Sequence, residues 1–248
     1  MKSALVTGAA SRLGARLARF LACRNFRLVL HANRSAAAAQ DLANSLRGDG
    51  AEAEILLADF AQDESAARFA LELTERFGAP DVIVNNASIF THDFPGRGDS
   101  DILAASLGVH IKAPFRILES AAQAKEPAQT LTIFNILDQK LINPNPDYYS
   151  YTLGKAALLA MTELWQLAGR TDIRVFGLLP GLMFPSGPQT QERFLADLAL
   201  LPTGRATSAE AICAAIGFYL DHPGIPGQNV PIDGGEHLKP RRRDIAFE

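Results

Sequence analysis

Cysteine is scarce in this 248-residue chain: only Cys23 and Cys213 occur, and they form no metal-ligand spacing. A disulfide framework and a structural zinc site are therefore not expected, and both residues read as free core thiols of a reducing compartment. Long hydrophobic runs are missing too. No stretch reaches the roughly 18 apolar residues that a membrane span needs. The apolar start from Met1 is broken by Arg12 and Arg16, so no targeting segment is expected and the expected location is cytoplasmic. An excess of one charge is also lacking. The 24 Lys and Arg stand against 27 Asp and Glu, a net charge of −3, which gives no global attraction to nucleic acid or to an anionic membrane. No Gly-x-Ser-x-Gly elbow is present, which removes the main ground for a Ser-His-Asp hydrolase. Internal repeats, low-complexity tracts and long linkers are absent as well.

What is present is an ordinary globular composition, 48% hydrophobic and 21% charged. Short apolar runs alternate with longer helical patterns. Strands are expected at residues 4–7, 27–31, 54–57, 82–85, 130–136, 174–178 and 229–232. Most of these runs are continuous rather than alternating, as in strands buried on both faces. Helices are expected at 13–23, 35–48, 64–77, 99–124, 149–169 and 208–220, with Ser35 as an N-cap type residue and a short helix at 189–200. The pattern predicts an α/β fold: a single-domain, Rossmann-type, doubly wound sheet of seven mainly parallel strands with helices on both faces. Residues 1–238 form the expected domain and 239–248 a basic tail, solvated or in contact with another subunit. In such a sheet ligands lie beyond the carboxyl ends of the strands. The irregular stretch near 182–204 follows the sixth strand, and a substrate lid is expected there.

The first strand runs through Thr7-Gly8-Ala9-Ala10-Ser11-Arg12-Leu13-Gly14 into a helix. A glycine-containing turn at a helix N-terminus lets backbone N–H groups approach a pyrophosphate. Gly8 and Gly14 fit the outer positions, and Arg12 stands where a middle glycine is usual. At the end of the second strand an NAD-selective site usually carries an acid for the ribose 2′-hydroxyl. Here the residues are His31-Ala32-Asn33-Arg34-Ser35, with no carboxylate before Asp41. Arg34 is a donor for a 2′-phosphate, with Ser35, His31 and Arg12 as helpers, so NADP(H) is expected over NAD(H). The alternative for Arg34 is an exposed loop charge.

Tyr151 and Lys155 are four residues apart, about one helical turn, and project from one face. An ammonium beside a phenol favours the phenolate, which predicts a lowered tyrosine pKa and a proton donor near neutral pH. Asp138 lies thirteen residues before the tyrosine. Its charge opposes that effect and keeps a proton on the pair.

Several motifs then coincide in order: Thr7-Gly8…Gly14, Asp59 after the third strand, Asn85-Asn86-Ala87 after the fourth, Tyr151…Lys155, Pro180-Gly181 after the sixth, and the ending Gly227 to Gly235. Together they resemble the short-chain dehydrogenase/reductase family over nearly the whole chain. Three departures from its common pattern stand out: Arg12 for the middle glycine, Asp138 for the usual serine, and His110 for the asparagine of the long fourth helix. The first two look like the pteridine reductase branch, as do the His31…Arg34-Ser35 pattern and Ser88 with Phe90. The stretch around Val109-His110 and the ending Asp233 to Leu238 look closer to bacterial dihydromonapterin reductases.

The resemblance implies an NADPH-dependent oxidoreductase acting on a small-molecule pterin, assembled as a homotetramer, with no metal. It implies a cofactor site of Gly8, Ser11, Arg12, Leu13, His31, Asn33, Arg34, Ser35, Asp59, Phe60, Asn86, Ala87, Lys155, Pro180 and Gly181. Arg12, Ser88, Phe90, Asp138, Tyr151 and Leu182 would hold the substrate, with Phe90 stacked on the ring; Tyr151, Lys155 and Asp138 would be catalytic. Asp138 either relays a proton or only orients Tyr151, and His110 is either a core or a relay histidine. Met183 and Phe184 are pocket or core candidates. Two other functions stay open: a general carbonyl or alcohol oxidoreductase of the same family, and a non-catalytic NADP(H)-sensing protein.

Overall fold

The computed structural model describes residues 1–185 and 190–247. Seven strands form one sheet in the order β3-β2-β1-β4-β5-β6-β7, and every neighbouring pair is parallel. The strands are β1 Ser3–Val6, β2 Arg27–Ala32, β3 Ala53–Leu57, β4 Val82–Asn85, β5 Leu131–Ile136, β6 Ile173–Pro180 and β7 Asn229–Ile232. The central strands are wholly buried, which is why their sequences are unbroken apolar runs.

The helices are α1 Arg12–Cys23, α2 Ala36–Gly48, α3 Asp63–Phe77, α4 Ser100–Leu107, α5 Ala113–Ala124, α6 Tyr149–Leu167, α7 Gln191–Leu198 and α8 Ala209–Asp221. One face of the sheet packs on α1, α2 and α8 through Leu17, Leu21, Leu46 and Ile212. The other packs on α3, α5 and α6 through Phe69, Leu73, Ile117 and Leu158. The chain leaves β3 at one edge and returns to β4 beside β1, so the order reverses there. The crevice beyond β1 and β4 is the topological switch point where such sheets bind ligands.

The sequence and the structure differ at three places. The single helix expected over 99–124 is two helices joined by a π-turn, Gly108–Lys112. Pro114 has no N–H to give to the carbonyl of His110, so the α-helical ladder fails just there. A side chain at Gly108 would also meet the Phe60 carbonyl at 2.6 Å, and glycine lets this turn press against the β3–α3 loop. Cys23 is not a core thiol. It closes α1 on the solvent side, whereas Cys213 is buried on α8. The residues 239–247 do not trail into solvent. Arg243 makes a paired contact with the buried Asp147 at 2.7 and 2.8 Å, and Lys239 donates to the Leu200 carbonyl. Within the expected lid, residues 186–189 lie outside the described ones; the helix expected at 189–200 is α7, capped by the Thr190 hydroxyl.

Candidate active site

The floor of the crevice is a clamp between two strand ends. The Thr7 hydroxyl oxygen accepts from the backbone N–H of Asn86 and of Ala87, each at 2.9 Å. The Asn86 side chain answers by donating to the Thr7 and Gly8 carbonyls at 2.9 and 3.2 Å. Gly14 completes the turn: a Cβ there would lie 2.1 Å from the Gly8 carbonyl. The first turn of α1 thus sits directly over the loop. The Ser11 side chain does not cap it, so its N–H groups face the crevice, and this cradle fits a dinucleotide pyrophosphate. Arg12 adopts a left-handed backbone, φ 47°. Its guanidinium reaches the Pro185 carbonyl at 3.3 Å and lies 5.8 Å from the Phe184 ring.

His31 stands apart from its expected role at a phosphate. It is buried, 3% exposed. The Gly8 N–H donates to its Nδ1 at 3.1 Å, so Nδ1 carries no proton and Nε2–H must donate to the Ala58 carbonyl at 3.1 Å. Burial holds its pKa down to about 4. A neutral ring with both nitrogens engaged props the loop from beneath and offers nothing to an anion. Phe60 stacks on this ring at 3.8 Å and is likewise a core group. Asp59 is half-buried and accepts from the Ala61 N–H at 3.0 Å. Asn33, Arg34 and Ser35 are exposed just beyond β2.

The His31 tautomer has a measurable consequence. Its folded pKa is depressed from 6.5, so the unfolded chain binds the extra proton between pH 6.5 and about 4. Its contribution is full above that window and is lost as the pH falls, by at most about 1.4 kcal/mol per pH unit. Glu236, raised to about 7, works in the opposite sense, so the comparison must be between variants. The stability advantage of the wild type over His31→Asn is expected to shrink from pH 7 to pH 4.5 in denaturant titrations. A gap independent of pH would contradict the neutral-ring assignment.

On the far wall, the Tyr151 hydroxyl donates to Asp138 Oδ2 at 2.6 Å, while Asp138 Oδ1 accepts from the Lys140 N–H at 2.8 Å. Lys155 Nζ donates to the Ile136 carbonyl at 2.5 Å and lies 5.8 Å from the Tyr151 ring. The expected lowering of the tyrosine pKa does not occur. Burial pushes the phenol well above 10, and the Asp138 carboxylate adds to the push. Burial also lifts Asp138 above the usual carboxylate range, against the pull of the Tyr151 and Lys140 bonds. Lys155 is held down to about 8, mainly by burial.

His110, on the π-turn, is 1% exposed. The Ser106 hydroxyl donates to the Ser150 carbonyl at 2.8 Å, so toward His110 it accepts from Nδ1–H at 3.1 Å. Nε2 is then an acceptor, and Ser88 must donate its only hydroxyl proton to it at 3.0 Å. Burial keeps the ring neutral. Ser88 consequently turns lone pairs, not a proton, toward the cleft. Phe90 stacks on Tyr148 at 3.7 Å and meets Tyr151 edge-on at 4.7 Å, with 41% of its surface exposed.

One cleft gathers Gly8, Ser11, Arg12, Leu13, Asn86, Ala87, Ser88 and Phe90 with Asp138, Tyr151, Lys155, Pro180, Gly181 and Leu182. Met183 and Phe184 line it too. Among its residues that were not singled out from the sequence as site residues are Glu236, Asp244 and Ile245. Glu236 Oε2 accepts from the Leu182 N–H at 3.2 Å. Its place in the ending Asp233 to Leu238 was a usable signal; nothing local marked the other two. Among the described residues no cluster could hold a metal ion, and no helix is long and apolar enough to cross a membrane.

Comparison with known proteins follows the same lines. The FolM alternative dihydrofolate reductase 1 of Brucella suis, solved with NADP, superposes with a TM-score of 0.91 at 32% identity, covering 97% of this chain and 96% of that one. Pteridine reductase 1 of Leishmania tarentolae is 29% identical over 95% of this chain and 96% of its own length. The 3-oxoacyl-[acyl-carrier-protein] reductase FabG of Pseudomonas aeruginosa is 28% identical over 96% and 98%. The short chain dehydrogenase profile matches residues 2–192. With that match and this geometry, the chain belongs to the short-chain dehydrogenase family of oxidoreductases.

Proposed function

We propose that the protein reduces a dihydropterin to a tetrahydropterin with NADPH, as a dihydromonapterin- or dihydrobiopterin-type reductase. The observation that carries this is the Tyr151–Asp138 hydrogen bond of 2.6 Å at the base of a cleft flanked by Phe90. The similarity to FolM and to pteridine reductase 1 supports it. A nicotinamide bound in this cleft would supply the hydride for the carbon of the ring C=N bond, and the protein must manage the proton that goes to nitrogen.

Asn86, Pro180 and Gly181 bound the nicotinamide end of the cleft, and Arg12 serves phosphate and pterin edge with one fork of donors. Arg34 and Ser35 take the 2′-phosphate. Phe90 stacks on the flat ring, which contributes about 0.5–1.5 kcal/mol beyond area burial. Ser88, an acceptor by virtue of His110, suits a ring N–H or amino group.

As hydride reaches carbon, the ring nitrogen gains basicity and takes a proton from the Tyr151–Asp138 pair. The negative charge left behind is shared by phenol and carboxylate beside the Lys155 ammonium, and water later restores the proton. A serine, with one hydroxyl, suits a carbonyl oxygen; a carboxylate can also accept from an exocyclic amine.

The test is NADPH oxidation with dihydropterins set against simple ketones, quinones and a 3-oxoacyl thioester. A clear preference for the dihydropterin is expected. Comparable or better turnover of the carbonyl panel without dihydropterin reduction would favour a general carbonyl reductase. Tight NADPH binding without turnover of any acceptor would favour a nucleotide sensor.

A further inference from the structure

The last residues of the chain form part of the cleft. Asp244 and Ile245 line it together with Phe90, Asp138 and Tyr151. Ile245 is 6% exposed, a core value for a residue so near a terminus.

The segment is held by a buried anchor. Asp147 is 0% exposed. Its two carboxylate oxygens accept from Arg243 Nε and a terminal guanidinium nitrogen at 2.8 and 2.7 Å, and from the Asp244 N–H at 2.8 Å. A two-point guanidinium–carboxylate contact fixes direction as well as distance. Beside it Lys140 Nζ, 3% exposed, donates to the Asp147 carbonyl and sits 3.6 Å from the Asp244 carboxylate. Lys140 also gives its N–H to Asp138. A short covalent and ionic path thus joins the tail to the acid of the Tyr151 pair.

The tail buttresses the stacking platform as well. Phe247 packs against His92 at 4.8 Å and Tyr148 at 5.9 Å, and Tyr148 is the ring on which Phe90 stacks. The segment therefore borders the substrate end of the cleft, while Gly8, Ser11 and Leu13 define the cofactor end.

Its chemistry is selective. Asp244 brings a third carboxyl group to a cleft that also carries Asp138, Glu236, Arg12 and Lys155, and Lys140 Nζ sits 3.6 Å from it. These carboxyl groups accept hydrogen bonds from amines and hydroxyls, and the Asp244 carboxylate disfavours a further carboxylate placed beside it. Ile245 supplies bulk beside it.

Resting on the pterin reading above, we infer that residues 241–247 are a specificity strap that closes the substrate end of the cleft and favours pterins with short, neutral side chains over folate-type substrates bearing an acidic glutamate tail. Asp244 is the discriminating side chain, and Arg243 with Asp147 is its latch.

The experiment compares kcat/KM for dihydrobiopterin and dihydrofolate in the full-length wild type, in Asp244→Asn, and in a chain ending at Lys239. NADPH binding, followed by its fluorescence, verifies that each variant is folded. The shortened chain is expected to raise the dihydrofolate-to-dihydrobiopterin ratio about tenfold or more, and Asp244→Asn about threefold, with NADPH affinity unchanged in both. If the shortened chain does not fold, Asp244→Asn decides alone. An unchanged ratio in Asp244→Asn, with the wild type turning over dihydrobiopterin, overturns the strap and leaves the pterin reading intact. No dihydropterin turnover by the wild type overturns both.

Discussion

Asp138→Ser is expected to lower kcat for dihydropterin reduction by about 10²–10⁴-fold, the usual worth of a positioned proton-transfer group. NADPH affinity should change little, because Asp138 meets Tyr151 and the Lys140 N–H rather than the Gly8–Gly14 turn. The substitution restores the serine common in the family, so the backbone tolerates it. What is lost is the second acidic oxygen that shares the Tyr151 proton and pushes the phenol upward. Single-turnover kinetics with saturating NADPH separate this loss from slow product release. An unchanged turnover number would reject the proton role and leave Asp138 as a group that only orients the tyrosine.

The second large effect is expected at Arg34. It is exposed just past β2, and one of its expected helpers, His31, is a neutral buried prop. On the proposed NADPH reading, the 2′-phosphate would therefore fall to Arg34 and Ser35. A hydrogen bond to a charged group contributes about 1.5–3 kcal/mol, so Arg34→Ala should raise the KM for NADPH about 10–150-fold. The KM for NADH, which has no 2′-phosphate, should hardly move. Steady-state kinetics with both cofactors measure this directly, and an unaltered NADPH-to-NADH preference would place the 2′-phosphate elsewhere.

What was legible in the sequence has a local physical cause. Buried parallel strands impose continuous apolar runs, and β1, β4 and β5 betray themselves that way. A tight phosphate turn demands glycine at Gly14 because a Cβ has nowhere to go. Tyr151, Lys155 and Asp138 stood out by spacing and type, and the structure brings them to one wall.

What was not legible depends on partners far along the chain. The role of Arg243 is set by Asp147, 96 residues away, so a run of basic residues looked like a tail that is solvated or in contact with another subunit. His31 looked like a cation for phosphate because nothing nearby in sequence announced the Gly8 N–H and the Ala58 carbonyl that fix it as neutral. The tyrosine pKa went the other way because burial and a carboxylate in contact outweigh an ammonium one helical turn off. Cys23 fell in an apolar pattern but at the last, solvent-facing position of α1.

The π-turn at Gly108–Lys112 gives the site a built-in sensitivity to chain length. Such a turn holds one residue more than the α-helical turn it replaces. Removing a single residue there would shorten the turn to α-helical length, with Pro114 still interrupting the ladder where α5 begins. It would also rotate everything before the cut by about 100° relative to everything after it. A rotation that carries His110 out of reach of Ser88 would leave the serine with a free proton facing the cleft. A one-residue deletion could thus invert the hydrogen-bonding sense of the pocket without altering any residue that lines it. The polarity of that wall is encoded in a residue count as much as in residue identities.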